Sequence, residues 1–193
     1  MTGETRVVTE ETETGWRALL ELTPQASQAL KRAQEEARAM RHCTVEPEHQ
    51  LLALFRDQGG ITASVFADAG LTVGPARELV RRRLGPGSGQ PVEGRIPLSR
   101  AAMEAMDAAS RVACGVGSEK IGTEHLLLAM VTLLRDGGAF QILRELNVDP
   151  GVMRFEIKKH FQRPPGPGED PQGPRLSGRG GALGPLRPTH DWQ

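Results

Sequence analysis

The stretch IGTEHLLLAM at residues 121–130 has a near copy at residues 45–54, where the chain reads VEPEHQLLAL. The alignment extends backwards without a gap, so that LTPQASQALKRAQEEA (22–37) matches LSRAAMEAMDAASRVA (98–113) with alanines at the same positions. It also extends forwards, where RDQGG (56–60) matches RDGG in the second copy. A match of this length indicates that one structural unit occurs twice in the chain.

The first two segments of each copy have helical patterns. The first segment starts after Thr23 or Ser99, hydroxyl residues of the kind that cap helices, and then carries small apolar residues at helical spacing. The second segment opens at Glu48 or Glu124 and is apolar on nearly all sides. That composition is typical of a central helix buried within its repeat.

Two further helices complete each copy. The third is short, at 61–69 or 139–146, and ends at Gly70 or Asn147, residue types that tolerate the left-handed conformation of a helix end. The fourth follows directly, and no segment shows the alternation of a strand. The sequence therefore predicts an all-α fold of two tandem four-helix repeats, packed as one pseudo-two-fold eight-helix domain.

Proline and glycine mark the expected boundaries, because they interrupt every stretch long enough for a helix in GPGSGQPVEGR (85–95) and beyond residue 162. We expect an N-terminal arm, a double-repeat domain and a Pro/Gly-rich disordered tail. In residue numbers these are 1–21, 22–161 (repeat one 22–84, linker 85–95, repeat two 96–161) and 162–193.

The charge balance excludes some classes of partner. The chain has 24 Lys and Arg residues against 24 Asp and Glu, so no basic field favours nucleic acid or anionic lipid. No apolar run approaches membrane-spanning length, and we expect a cytoplasmic monomer. Cys43 and Cys114 lack metal-site spacing, and ordinary buried thiols account for them.

The two repeats, each with a hydroxyl-capped Ala-rich helix followed by a Glu-His-x-Leu-Leu helix, resemble the Clp N-terminal domain. In that family the domain precedes ATPase rings of the Hsp100 type and receives substrates and adaptor proteins for unfolding and degradation. The chain contains no GxxxxGK[ST] phosphate loop, so we do not expect ATP hydrolysis. The resemblance implies a non-enzymatic protein-binding accessory module of a bacterial Clp system, with no cofactor.

The resemblance also implies candidate ligand residues. In related domains of the Clp C type, the Glu of Glu-His and the Thr or Ser opening the first helix contribute to paired sites for phosphorylated arginine. The corresponding pairs here are Glu48 with Thr23, and Glu124 with Ser99. A carboxylate suits the guanidinium, and a helix start suits the phosphate. The same residues are also ordinary features of helix starts, so the pattern alone leaves the two interpretations open.

The two copies differ where the ligand residues lie. The second copy keeps the family's Ile-Gly-Thr-Glu-His at 121–125, whereas the first has Glu46 in place of Gly and Pro47 in place of Thr. Arg41 also stands where the family commonly has Gly. These departures make the second repeat the better candidate for a ligand site.

Three functions remain open from the sequence. The chain could bind Clp substrates, adaptors or ligands and either deliver or sequester them, which is the leading hypothesis. It could instead be a structural assembly factor that docks on the Clp protease core. An enzyme using His49 with Glu48, or His125 with Glu124, is the weakest alternative, because one histidine at the same position of each repeat favours a packing role.

Overall fold

The computed structural model describes residues 21–57, 59–87 and 94–162. In this part of the chain there are eight helices and two strands of two residues each. The elements of the first repeat are β1 (Glu21–Leu22), α1 (Pro24–Ala39), α2 (Pro47–Phe55), α3 (Gly60–Asp68) and α4 (Val73–Leu84). Those of the second are α5 (Arg100–Gly115), β2 (Lys120–Ile121), α6 (Thr123–Thr132), α7 (Gly138–Glu145) and α8 (Pro150–Gln162).

The predicted fold class, two repeats of four helices, is confirmed. The two short strands were not predicted, because a two-residue strand leaves no alternating pattern in the sequence. Nearly all of the expected arm and tail, together with the middle of the linker, lies outside the described residues. Within the described residues, no helix is both long enough and apolar enough to cross a membrane.

The two central helices, α2 and α6, form the core. Eight of the nine residues of α2 and eight of the ten residues of α6 are buried. Helix α6 ends at Thr132, and Leu133 directly after it is 52% exposed. The long Ala-rich helices α1 and α5 pack against α2 and α6, with Ala33, Ala37 and Ala109 fully buried. Small side chains let these helix axes approach closely.

The predicted helix caps are present. The Thr23 Oγ1 accepts the Ala26 N–H at 3.1 Å, and the Ser99 Oγ accepts the Ala102 N–H at 3.1 Å. These hydroxyls satisfy donors that a helix start leaves without a partner.

In the described residues, five of the eight helices are followed by a residue with positive φ, including Gly85 (φ 69°) after α4. Gly70 (φ 64°) and Asn147 (φ 59°) follow α3 and α7, as the sequence predicted. Gly117 (φ 73°) follows α5, and Arg41 (φ 60°) occupies the equivalent position after α1. A left-handed conformation costs a residue with a Cβ about 1 kcal/mol. Arg41 therefore introduces backbone strain into repeat one, whereas Gly117, which has no Cβ, introduces none into repeat two.

Backbone hydrogen bonds join the start of each repeat to the middle of the other. Strand β1 runs parallel to β2, with Leu22 opposite Ile121, and the Thr23 N–H donates to the Ile121 carbonyl at 2.9 Å. The pseudo-symmetric counterpart is the Ser99 N–H, which donates to the Val45 carbonyl at 3.0 Å. We call these two contacts the cross-repeat pairing.

His49 and His125, which occupy the same position in the two repeats, cap the central helices with their rings. The His49 Nδ1 accepts the Glu46 N–H at 2.9 Å, and the His125 Nδ1 accepts the Gly122 N–H at 2.8 Å. The ring proton is therefore on Nε2, which lies 2.9 Å from the His42 Nδ1 or 3.1 Å from the Ser118 Oγ. Burial lowers the pKa of both rings to about 4. Both rings are neutral in the folded chain at neutral pH.

The cysteine prediction was wrong. Cys43 and Cys114 are both exposed. Cys114 follows the buried Ala113 on the solvent side of α5, and Cys43 lies in the turn after α1. A cysteine side chain is small enough to be either buried or exposed, so the sequence alone could not determine where Cys43 and Cys114 lie.

The histidine caps predict how stability depends on pH. Because burial holds the folded pKa of each ring at about 4, below the ordinary value of 6.5, the stability that comes from keeping each ring neutral is complete above pH 6.5 and is lost as the pH falls toward 4. Between pH 7 and about pH 4.5 each buried ring should thereby cost the folded chain about 2 to 3 kcal/mol of stability. The raised pKa values of Glu48 and Glu124 stabilise the folded chain as the pH falls, which opposes the effect of the histidines. The histidine effect is therefore measured by comparing a histidine variant with the unsubstituted chain.

We expect His125→Asn, which keeps an acceptor near the Nδ1 position but does not titrate, to lose less stability over this pH range than the unsubstituted chain. Urea unfolding followed by circular dichroism at several pH values measures the difference. The same substitution at His160, which caps no helix, controls for the general loss of an imidazole. Parallel pH profiles for the His125→Asn and unsubstituted chains would contradict the assignment.

Candidate functional site

The four candidate ligand residues lie in two regions of the fold, each made from both repeats. The sequence paired Glu48 with Thr23 and Glu124 with Ser99, one pair within each repeat, whereas the structure places each hydroxyl beside the segment that leads to the other repeat's glutamate. The cross-repeat pairing places Thr23 beside Ile121, three residues before Glu124. It places Ser99 beside Val45, three residues before Glu48.

Helix length explains why the residues of one repeat do not meet. Helix α5 has 16 residues and is therefore about 24 Å long, and the chain turns back after it into α6. Ser99 at the start of α5 thus lies at the opposite end from Glu124 at the start of α6. A buried hydrogen bond from the Gln50 Nε2 to the Ala102 carbonyl, 3.3 Å, confirms that the start of α5 lies against α2. We call the two composites the Glu124 site and the Glu48 site.

The Glu124 carboxylate is largely buried. Its side chain is 18% exposed, and its Oε1 lies 3.3 Å from the His125 Nδ1. That contact is not an ion pair, because the Nδ1 carries no proton in the neutral ring. In the described part of the chain, no Lys or Arg lies within ion-pair distance of this carboxylate. Burial, with a smaller effect from Asp57, raises the pKa of Glu124 above its ordinary value.

Gly122 makes room for the Glu124 carboxylate. A Cβ at Gly122 would collide with both carboxylate oxygens and lie 2.5 Å from the Cδ. The carboxylate therefore folds back over the N-terminus of its own helix, where the helix dipole favours a negative charge. A side chain at this position would have to displace it.

Repeat one also lines the Glu124 site with polar groups. The Thr123 hydroxyl donates to the Asp57 Oδ2 at 3.1 Å, and the buried Thr62 hydroxyl donates to the Thr123 Oγ1 at 3.1 Å. Two carboxylates from different repeats, Glu124 and Asp57, thus lie near each other in a region with little solvent. The arrangement favours a cation over an anion at this point.

The Glu48 carboxylate, in contrast, already has a cation beside it. Its side chain is 8% exposed, and its Oε1 lies 3.6 Å from the Nε of Arg83, whose side chain is 39% exposed. Burial raises the pKa of Glu48, Glu46 raises it further, and Arg83 partly offsets both. A Cβ at Gly138 would collide with the Glu48 Oε1 and lie 2.9 Å from the Arg83 Nε. Glycine in the first turn of α7 therefore admits the pair.

Each site adjoins a helix start that can receive an anion. In α1, Pro24 has no N–H and the Ala26 N–H is bound to Thr23, which leaves the Gln25 N–H without an acceptor inside the helix. At the start of α5, Ser99 binds the Ala102 N–H, and the N–H groups of Arg100 and Ala101 have no acceptor inside the helix. Each site can thus offer a carboxylate and a helix N-terminus to one ligand.

Several residues near Glu48 and Glu124 could not be identified from the amino-acid sequence. Arg83 is one of three consecutive arginines at the end of α4, and such a run is typical of a solvent-exposed helix end. Asp57 and Thr62 belong to repeat one, and only the fold brings them to Glu124. In the described residues, no three His, Cys, Asp or Glu side chains cluster as a metal site would require.

Comparisons with known proteins give the family. The family described as the Clp repeat (R) N-terminal domain matches residues 21–134. A probable ATP-dependent Clp protease ATP-binding subunit from Chlamydia pneumoniae is 32% identical over 140 residues, which is 72% of this chain and 16% of the relative. The chain thus spans about a sixth of the length of that relative.

Two solved structures have the same fold. The N-terminal domain of the chaperone ClpD from Arabidopsis thaliana is 23% identical, with a TM-score of 0.61 over 74% of this chain and 98% of the other. A complex of a ClpV N-domain with a VipB peptide is 22% identical, with a TM-score of 0.57 over 73% of this chain and 84% of the other. With more than half of its length matched, the chain belongs to the Clp repeat N-terminal domain family.

Proposed function

We propose that this chain is a non-catalytic protein-binding module of a bacterial Clp chaperone-protease system, and that its Glu124 site binds phosphorylated arginine on substrates or adaptors. Binding would let the module deliver such proteins to a Clp ATPase or hold them away from it. Membership of the family supports the general role, and the ClpV N-domain solved with a VipB peptide is an example of peptide binding within this fold.

One observation carries the ligand assignment: the desolvated Glu124 carboxylate has no cationic partner among the described residues. A buried carboxylate is costly without such a partner, so a planar guanidinium that donates two hydrogen bonds would satisfy it. The helix start at Thr23 would receive the phosphate of the same ligand. A phosphorylated arginine carries both groups.

The histidines support a non-catalytic role. The His49 ring is fully buried and the His125 ring nearly so, and both nitrogens of each ring are engaged in hydrogen bonds. With a pKa of about 4, neither ring is suited to exchange protons near neutral pH. Their contacts are those of helix caps.

We expect Glu124→Gln to weaken phosphoarginine binding by roughly ten- to a hundredfold, because a charged hydrogen-bonded pair is lost. Isothermal titration with phosphoarginine measures the affinity, and arginine and inorganic phosphate titrated separately test whether both groups are needed. Glu119→Gln removes an exposed carboxylate five residues away and should leave the affinity unchanged. Equal affinities for the Glu124→Gln and unsubstituted chains would refute the site.

A surface feature favours the second candidate, a structural factor that docks on the Clp protease core. On α8, Val152 is 60% exposed and Phe155 is 65% exposed, and they lie one turn apart on the same side of the helix. Beside them is an open depression of about 220 Å³. Its lining residues are Val131, Arg135, Phe140, Pro150, Gly151 and Arg154. Exposed apolar side chains around a depression are typical of docking surfaces.

The two candidates differ in which surface captures a Clp component. If the α8 surface docks on the protease core, Phe155→Ser should abolish capture of purified Clp peptidase while leaving phosphoarginine affinity unchanged. Met103→Ser removes a 45% exposed apolar side chain from α5 and serves as the matched control. Capture of the ATPase but not the peptidase, unaffected by Phe155→Ser, would exclude the docking role.

A further inference from the structure

We propose that Arg83 occupies, in the Glu48 site, the position of a ligand guanidinium, so that the chain's own side chain closes this site while the Glu124 site stays open. The inference rests on the function proposed above and adds a regulatory feature to it. It predicts that the two composite sites of this duplicated domain are not equivalent.

The contact between Arg83 and Glu48 is an ion pair at the position where a ligand guanidinium would meet this carboxylate. Arg83 reaches from the last turn of α4 to a carboxylate that is 8% exposed, with 3.6 Å between the Arg83 Nε and the Glu48 Oε1. Gly138 admits both groups, because a Cβ there would collide with the carboxylate and lie 2.9 Å from the Nε. An incoming guanidinium would have to displace Arg83 to reach the same oxygens.

In the part of the chain that the structure describes, the second repeat places no such cation beside Glu124. The residue of α8 that aligns with Arg83 is His160, and within the described residues it makes no ion pair with Glu124. The Glu124 carboxylate folds back into the space left by Gly122. Glu46 stands at the equivalent position of repeat one and carries a side chain, and there the carboxylate of Glu48 instead lies against Gly138. The exchange of Gly122 for Glu46 at the start of the central helix thus accompanies the different surroundings of Glu124 and Glu48.

A simpler explanation for Arg83 is that basic residues stabilise the C-terminus of a helix. Arg81, Arg82 and Arg83 all lie in the last turn of α4 and could serve this role. Only Arg83 forms an ion pair with Glu48. Arg82 is exposed and has the same charge on the same turn, so it provides a matched control.

The test isolates the Glu48 site by placing every substitution in a Glu124→Gln background. Phosphoarginine affinity is measured by calorimetry for three chains. The first carries Glu124→Gln alone, the second adds Arg83→Met, and the third adds Arg82→Met instead. Methionine keeps an apolar stem and removes the charge. We expect Arg83→Met to tighten binding roughly fivefold, the size of effect that a partly exposed ion pair can produce, and Arg82→Met to leave it unchanged or slightly weaker.

The direction of the change is diagnostic. Removal of a cation should weaken the attraction of a phosphate in general, so tighter binding can only arise from release of Glu48. Unchanged or weaker binding after Arg83→Met would overturn the inference, and weaker binding would indicate that Arg83 receives the phosphate. Failure of the proposed function gives a separate result, since the chain with both glutamates intact would then bind no phosphoarginine.

Discussion

The cross-repeat pairing is the constraint on which the candidate sites depend. One hydrogen bond joins Thr23 to Ile121, and its counterpart joins Ser99 to Val45. Because each bond connects the start of an Ala-rich helix to the entry of the other repeat's central helix, neither repeat alone can assemble a site. The duplication therefore creates two composite sites, and the buried contacts of α2 and α6 with both repeats hold the two halves in register.

Small sequence differences then make the two sites chemically unequal. Gly122 leaves space for the Glu124 carboxylate over its own helix, whereas Glu46 carries a side chain at the matching position. Gly138 accepts the Glu48 carboxylate together with Arg83. The result is one buried carboxylate beside an internal guanidinium and one without a cation in the described residues. This asymmetry is the physical basis for the proposal that the Glu124 site binds the ligand.

Local features of the fold could be predicted from the sequence because they depend on neighbouring residues. The caps at Thr23 and Ser99, and the left-handed helix ends at Gly70 and Asn147, follow from residue types within a few positions. The partner of each carboxylate could not be predicted in this way. Glu48 meets Arg83 only because α4 packs on α2, a contact that no spacing along the chain encodes. For the same reason, the sequence alone could not show that each hydroxyl lies beside the segment leading to the other repeat's glutamate.

The most direct test of the composite site is to follow backbone amide chemical shifts of isotope-labelled protein during titration with phosphoarginine. If the site spans both repeats, the amides of Gln25 and Ala26 at the start of α1 should shift together with those of Gly122 and Glu124, at the same ligand concentrations. Joint shifts of Glu124 and the start of α5 near Ser99, with the start of α1 unaffected, would contradict the account.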